Sequence, residues 1–289
     1  MVAVPARPLA RTSRSCIRPA SKSGRLVMAG AFDGKVVTVS GGGRGIGRAI
    51  AMAFAREGAQ TVLAASNAAN LDATAKEIAD GGAPMPLALA GDLRTLAGCE
   101  ALFAAVKDRF GRCDALVNNA GATKGGNFFD LPDEAWADGF ALKFFGAVRL
   151  TRLFWPLLKE AHGSVLFIDG GAARTPGADF LIGGSVNAAM ANFAKGLAAL
   201  GNRDDVNVNV IHPGPTETDR MTELFAQFAK AQGKTPDEVR RDGLQKSGAR
   251  RMGLPEDIAA LAVFLCRDVA RHIQGQAIAV DGGTQPGYY

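Results

Sequence analysis

The 289-residue sequence predicts an α/β fold: a single doubly wound parallel sheet of about seven strands, with helices on both faces and a helical lid. Three observations predict it. Strand-like and helix-like segments alternate from Lys35 to the C-terminal region. The strand-like segments are mostly apolar throughout rather than alternating, as strands covered on both faces require. A glycine-rich turn joins the first strand to the first helix.

Lys35–Ser40 (KVVTVS) is a short β-branched run, and Gly45–Glu57 carries Ile46, Ile50, Ala53 and Phe54 at helical spacing. Thr61–Ala65 reads as a strand, Leu71–Asp80 as a helix and Met85–Ala90 as a strand. Ala97–Phe110 is a helix with Leu102, Phe103, Val106 and Phe110 on one face, followed by a strand at Ala115–Asn118. A long helical stretch, Asp133–Lys159, leads to the strand Ser164–Asp169. Gly184–Leu200 is a helix dense in small residues, Val206–His212 a strand, Pro255–Cys266 a helix and Ala277–Val280 the last strand. The polar stretch Thr216–Arg251 breaks the rhythm, and its Thr216–Gly248 portion is expected to form a mobile lid over the substrate. No repeat of 20–50 residues is visible.

The formal charge of +5 is a property of one end of the chain. Residues 1–32 hold Arg7, Arg11, Arg14, Arg18, Lys22 and Arg25 and no acid, which leaves 27 basic against 28 acidic side chains in residues 33–289. A nearly neutral body argues against a nucleic-acid binder, which needs a basic face on its folded part. Residues 1–32 are expected to stand outside the fold, and residues 33–289 to form one domain. The composition of Met1–Gly30 suits an organelle transit peptide, and a start at Met28 is the alternative, so the expected location is cytoplasmic or an organelle matrix. Cys16, Cys99, Cys113 and Cys266 form no CxxC pair, and His162, His212 and His272 show no metal-ligand spacing. No apolar run approaches the ~18–20 residues of a membrane span. The only tyrosines are Tyr288 and Tyr289.

The turn Ser40-Gly41-Gly42-Gly43-Arg44-Gly45-Ile46-Gly47 has the arrangement that lets backbone approach a pyrophosphate, with free N–H groups at the N-terminus of the following helix aimed at it. With it stand Gly91-Asp92-Leu93, Asp114–Gly121 (DALVNNAG), His212–Thr218 (HPGPTET), Arg251–Asp257 (RMGLPED) and Gly275–Gly283 (GQAIAVDGG). In this order and spacing, over about residues 33–285, the sequence resembles the short-chain dehydrogenase/reductase family. The resemblance implies a Rossmann fold, a nicotinamide cofactor, a small-molecule substrate and a homo-tetramer or dimer that uses Asp133–Lys159 and Gly183–Leu200 at its interface. It assigns cofactor contacts to Gly41, Arg44, Gly45, Ile46, Gly47, Ser66, Asn67, Asp92, Asn119, Ala120, Gly121, Pro213, Gly214, Thr216 and Thr218. Members preferring NAD carry a carboxylate at the end of the second strand. Here that place holds Ala65, followed by Ser66 and Asn67, and Arg44 is placed to meet a 2′-phosphate, so NADP is expected over NAD.

The family's catalytic Asn, Ser, Tyr and Lys align with Lys143, Gly170, Gly183 and Asn187, so all four differ. Asn and Lys have exchanged places, and the two hydroxyl groups are gone. Lys143 and Asp169 become the candidate proton donors or charge stabilisers, with Asn187 as their partner. Ser185 points elsewhere on its helix, and His212 is expected to make a structural hydrogen bond. The space at Gly183 is open to substrate, water or another side chain, and a neighbouring subunit's Tyr288 or Tyr289 is a further candidate. Three functions stay open: an oxidoreductase acting on a carbonyl, alcohol or activated double bond; an NADP-binding protein without hydride transfer; and a lyase or isomerase.

Overall fold

The computed structural model describes residues 30–285. Seven strands form one sheet: β1 (Val36–Ser40), β2 (Gln60–Ala65), β3 (Leu87–Ala90), β4 (Ala115–Asn118), β5 (Ser164–Ile168), β6 (Asn207–Pro213) and β7 (Ala277–Val280). Their order is β3-β2-β1-β4-β5-β6-β7, every pairing parallel. β1, β4 and β5 are buried along their whole length, which explains their apolar composition. One face is filled by Phe32, Ile50, Phe54, Leu71 and Ile258. It is covered by α1 (Gly45–Arg56), α2 (Ala68–Asp80) and α9 (Pro255–Leu265). The other holds Leu102, Leu150, Phe154, Phe167 and Met190. It lies under α3 (Leu96–Phe110), α5 (Ala147–Glu160) and α6 (Leu181–Asp204). The chain runs outward from β1 to β3 and then returns to the far side of β1 as β4. This reversal opens a crevice at the C-terminal ends of β1 and β4, where open α/β sheets bind ligands.

The fold starts earlier than composition suggests. Phe32 is 1% exposed and meets Phe54 edge-on, ring centroids 4.8 Å apart. Residues 1–29, with the expected transit segment and Met28, lie outside the described residues, as do Tyr288 and Tyr289.

The stretch expected as one helix from Asp133 is three pieces: α4 (Asp133–Phe140), a π-helical turn at Ala141–Gly146 and α5. The turn ends on Gly146, where a Cβ would stand 2.7 Å from the Leu93 carbonyl oxygen, so the start of α5 presses against the chain leaving β3. Lys143 sits on this turn, a distortion frequent at functional sites. The lid is two helices, α7 (Asp219–Gln232) and α8 (Pro236–Ser247). Gly233, at φ +65°, ends the first, and a Thr235–Glu238 capping box starts the second.

Candidate active site

The glycine turn is held before any ligand arrives. The Ser40 hydroxyl accepts from the amides of Asn119 (3.0 Å) and Ala120 (3.1 Å) and donates to the Val117 carbonyl. The Asn119 amide donates back to the carbonyls of Ser40 (3.1 Å) and Gly41 (3.2 Å). Gly41 adopts φ +69°, which disfavours any side chain, and a Cβ there would stand 2.7 Å from Asn119 Nδ2. A methyl group at Gly47 would overlap the Gly41 carbonyl. From α2, the Thr74 hydroxyl donates to the Gly43 carbonyl at 3.0 Å. On the lid side, the Thr218 methyl lies 3.3 Å from where a Cβ of Gly45 would stand. Thr218 also caps α7, and Thr216 donates to the Gly214 carbonyl at 2.8 Å. Gly41, Gly45, Gly47, Asn119, Ala120 and Thr218 thus converge on one turn, with Ile46 half-buried behind it.

At the end of β2, Ser66 and Asn67 are exposed. The Asn67 carbonyl oxygen caps α2 by accepting from Asn70 N at 2.9 Å, which leaves its NH₂ group unused. Arg44 is exposed and follows Gly43, which packs on Asn70 at the start of α2. Asp92, to which the resemblance assigns a cofactor contact, is held by an arginine. Both its carboxylate oxygens bind Arg94, which also holds Asp138 at 2.8 Å. The Arg94 guanidinium holds the Asp92 carboxyl below the usual carboxylate range.

The second half of the cleft is assembled from four elements. The Lys143 ammonium donates to Asn187 Oδ1 on α6 at 2.6 Å and to the Asp169 carbonyl at 3.2 Å, and lies 3.4 Å from Asp169 Oδ1. Gly121, at the end of the β4 segment, packs on the stem of Lys143, a Cβ there standing 2.9 Å from Lys143 Cδ. Gly170 lies against the Asn187 amide, at 2.6 Å by the same measure. Lys143, Asp169 and Asn187, predicted from three separate segments, are therefore in contact. Pro213 and Gly214 lie at the end of β6, with Gly214 packed on Asp281. Ser185 is exposed and takes no part.

Burial pushes the Asp169 carboxyl up to about 7, against the opposing pull of Lys143. Burial also lowers the Lys143 ammonium from its ordinary value, with Asp169 acting the other way. His212 corrects the expectation of a structural hydrogen bond. Its ring is fully buried, neither nitrogen has a partner, and Nδ1 stands 3.9 Å from Asp169 Oδ2. Burial, then the charges of Arg174 and Lys143, lowers it to about 4. The imidazole is thus neutral at pH 7, consistent with burial beside two cations.

Two residues escaped sequence reading. The ring of Phe180 occupies the space that a side chain at Gly183 would need, so the place is filled from within the chain. Phe180 caps the start of α6 with a non-helical backbone, so helical spacing did not announce this contact. Arg220, on the first turn of α7, donates from Nη2 to the Thr123 carbonyl at 2.7 Å and ties the lid to the loop after β4. Nothing in the polar lid sequence marks this arginine out. Among the described residues, no cluster of His, Cys, Asp and Glu fits a metal, and no helix is long and apolar enough to cross a membrane.

Known proteins agree with this geometry. A family model described as enoyl-(acyl carrier protein) reductase matches residues 41–285. An uncharacterized oxidoreductase of Mycobacterium tuberculosis is 35% identical over 254 residues, 87% of this chain and 92% of that protein. L-Sorbose reductase from Gluconobacter frateurii, solved with NADPH and L-sorbose, superposes with a TM-score of 0.85 at 31% identity, over 90% of this chain and all of that one. 7α-Hydroxysteroid dehydrogenase, solved with NADH and a 7-oxo bile acid, gives 0.81 at 30% identity, over 90% of this chain and 98% of that one. Matches that run the length of the sheet, with the glycine turn and the β4 segment in the same crevice, make this chain a member of the short-chain dehydrogenase/reductase family of NAD(P)-dependent oxidoreductases.

Proposed function

We propose that the protein is an NADP-preferring oxidoreductase with a rearranged active site. It moves hydride between the nicotinamide and a carbonyl, alcohol or activated double bond, and Lys143 supplies the proton. The observation that carries the reading is the 2.6 Å contact between the Lys143 ammonium and Asn187 Oδ1, which supports an exchange of the family's lysine and asparagine. NADP supplies the hydride acceptor or donor. Three features support its preference: Ala65 at the end of β2 in place of an acid, the unused NH₂ of Asn67, and the Arg44 guanidinium. The cradle of Gly41, Gly45 and Gly47, with Asn119–Gly121, Pro213, Gly214, Thr216 and Thr218 around it, suits its pyrophosphate and nicotinamide ends.

The chain's own groups account for the proton. Desolvation makes the Lys143 ammonium a stronger acid than a solvated lysine, and the Asp169 carboxylate opposes that shift and keeps the ammonium charged. Asn187 Oδ1 and the Asp169 carbonyl take two of its three N–H directions, leaving one for a substrate oxygen. As hydride reaches the carbonyl carbon, the proton leaves Nζ for the oxygen, and the neutral amine remains beside Asp169. The Asp169 carboxyl, held near 7, can return a proton at neutral pH. In the reverse direction the amine accepts the alcohol proton.

Titration with NADPH, followed by turnover over a panel of carbonyls and enones, tests the reading. Lys143→Met is expected to lower kcat by ~10²–10⁴-fold while NADPH affinity holds. Absence of NADPH binding, or full turnover by Lys143→Met, sinks it. The Phe180 ring over Gly183 favours one other outcome, NADP binding without turnover, which would make the chain a sensor or partner subunit. Asp133–Lys159 and Gly183–Leu200 are the surfaces through which a homo-tetramer or dimer would assemble, testable by light scattering.

A further inference from the structure

We infer that Arg220 selects the substrate, and that the substrate carries a carboxylate or like anion beside its reducible carbonyl, on an apolar body. The inference rests on the cleft reading above and adds the substrate class. Arg220 reaches from α7 across the cleft to the Thr123 carbonyl at 2.7 Å. Two residues before it, Thr218 packs on Gly45 of the glycine turn; two residues before Thr123, Gly121 packs on Lys143. The guanidinium therefore stands along the path from the glycine turn to the proton donor.

It is partly buried, and among the described residues its hydrogen bonding is the single donation to Thr123, out of five N–H groups. No carboxylate forms an ion pair with it among the described residues. Arg44 and Lys143 repel it, and Glu223, three residues on along α7, attracts it without closing an ion pair. A half-buried cation with two cations nearby and no closed ion pair among the described residues gains from an anion on its open side. The cofactor's phosphates are answered by the N-terminus of α1 and by Arg44. The Arg220 head lies farther along, with Thr123, whose methyl is 3.4 Å from where a Cβ of Gly139 would stand, next to Ile182. Beneath that point the packing is apolar: Phe140 and Trp136 lie against the buried Ile182, and Phe180 covers Gly183. The loop is also bound to the segment before α6, with Gly126 N donating to the Asp179 carbonyl at 2.8 Å. A cationic head group receptor over an aromatic and aliphatic wall fits an oxo-acid with an apolar tail.

The test uses phenylpyruvate and its methyl ester as probes, bound to the full-length protein–NADPH complex and followed by nicotinamide fluorescence. NADPH affinity is measured separately. The wild type is expected to bind the acid ~30-fold more tightly than the ester, the range of a charge-assisted hydrogen bond. Arg220→Met should reduce that preference below ~3-fold and change NADPH affinity less than ~2-fold, with Arg220→Lys between. Equal loss for acid and ester would make the arginine a structural latch and overturn the inference. A matching loss of NADPH affinity would assign it to the cofactor phosphates, and a wild type that does not prefer the acid would also overturn it. Failure of the underlying reading looks different: no NADPH binding by the wild type, or full turnover by Lys143→Met.

Discussion

On the nucleotide side of the cleft, around β1 and β2, the polar groups that shape the turn are spoken for. Ser40 uses its donor and both acceptor directions, Asn119 bridges two carbonyls, and Thr74 holds Gly43. On the substrate side, around β5, β6 and β7, the opposite holds. Of eight buried side-chain atoms without a hydrogen-bond partner among the described residues, six belong to Asp169, His212 and Gln285. Buried polar atoms are nearly always satisfied, because an orphan forfeits its bond to water without replacement. The satisfied half is a rigid mould whose shape must precede the ligand. The unsatisfied half accepts a stability cost where perturbed acids and bases are wanted.

Adding one carbon on each side breaks this comparison most sharply. Gly47→Ala would drive a methyl into the Gly41 carbonyl, which is backbone held by Asn119, so a loss of ~4 kcal/mol or more in a denaturant titration is expected. Gly170→Ala meets only the Asn187 amide, at 2.6 Å, and Gly170 has an extended backbone open to any residue. Its cost should be ~1 kcal/mol, read by the same titration. Similar losses would show that both halves are equally rigid.

Asn187→Lys comes next. It sets a second ammonium against Lys143 in a buried site and should cost ~3 kcal/mol or more, visible as a lowered Tm. Adding Lys143→Asn returns one amide and one ammonium to the pair and should recover most of the loss. An additive double variant would mean that the exchanged pair is not a unit.

How much of this was legible beforehand follows the same division. The glycine turn, the β4 segment and the seven strands rest on local rules: glycine where a Cβ is excluded, apolar runs where both faces are covered. Such rules leave marks in neighbouring residues. The meeting of Lys143, Asp169 and Asn187 was also legible, because the resemblance placed all three at one cleft. Phe180 filling the space at Gly183, Arg220 reaching Thr123 and His212 left without a partner were not. Each depends on which way a side chain turns across residues far apart in sequence or at a helix start. Similarly, the hold of Arg94 on Asp92 has no mark in the sequence. The π-turn that carries Lys143 has no mark in the sequence, since its extra residue is set by how α5 packs on the chain after β3.

His212 gives the next smaller effect. Its lowered value, about 4 against 6.5, means that the fold favours the neutral ring. The contribution is fully present above pH 6.5 and is lost as pH falls through about 4, where the folded protein must charge a buried ring. The difference is ~3 kcal/mol at most. Asp169 acts in the reverse sense, since its raised value favours the fold at low pH and loses that contribution as pH rises through about 7. The informative quantity is therefore the stability of His212→Asn minus that of the wild type, measured at each pH by urea titration. It should grow as pH drops from 6.5 towards 4, and a flat difference would remove His212 from the set of perturbed groups.

Arg44 tests the nucleotide side without disturbing its fold, because the side chain is exposed and the turn is held by other groups. A guanidinium facing a 2′-phosphate contributes through charge-assisted bonds, which solvent screens at the surface. Arg44→Met is accordingly expected to weaken NADPH binding by ~10-fold, leave NADH within ~2-fold and leave Tm unchanged. Raising salt should shrink the effect in the wild type, as it does for exposed charges. If NADPH and NADH weaken together, the arginine serves the pyrophosphate that both share. In that case the preference for NADP would rest on Ser66 and Asn67, and the absence of an acid at Ala65 would be permissive rather than selective.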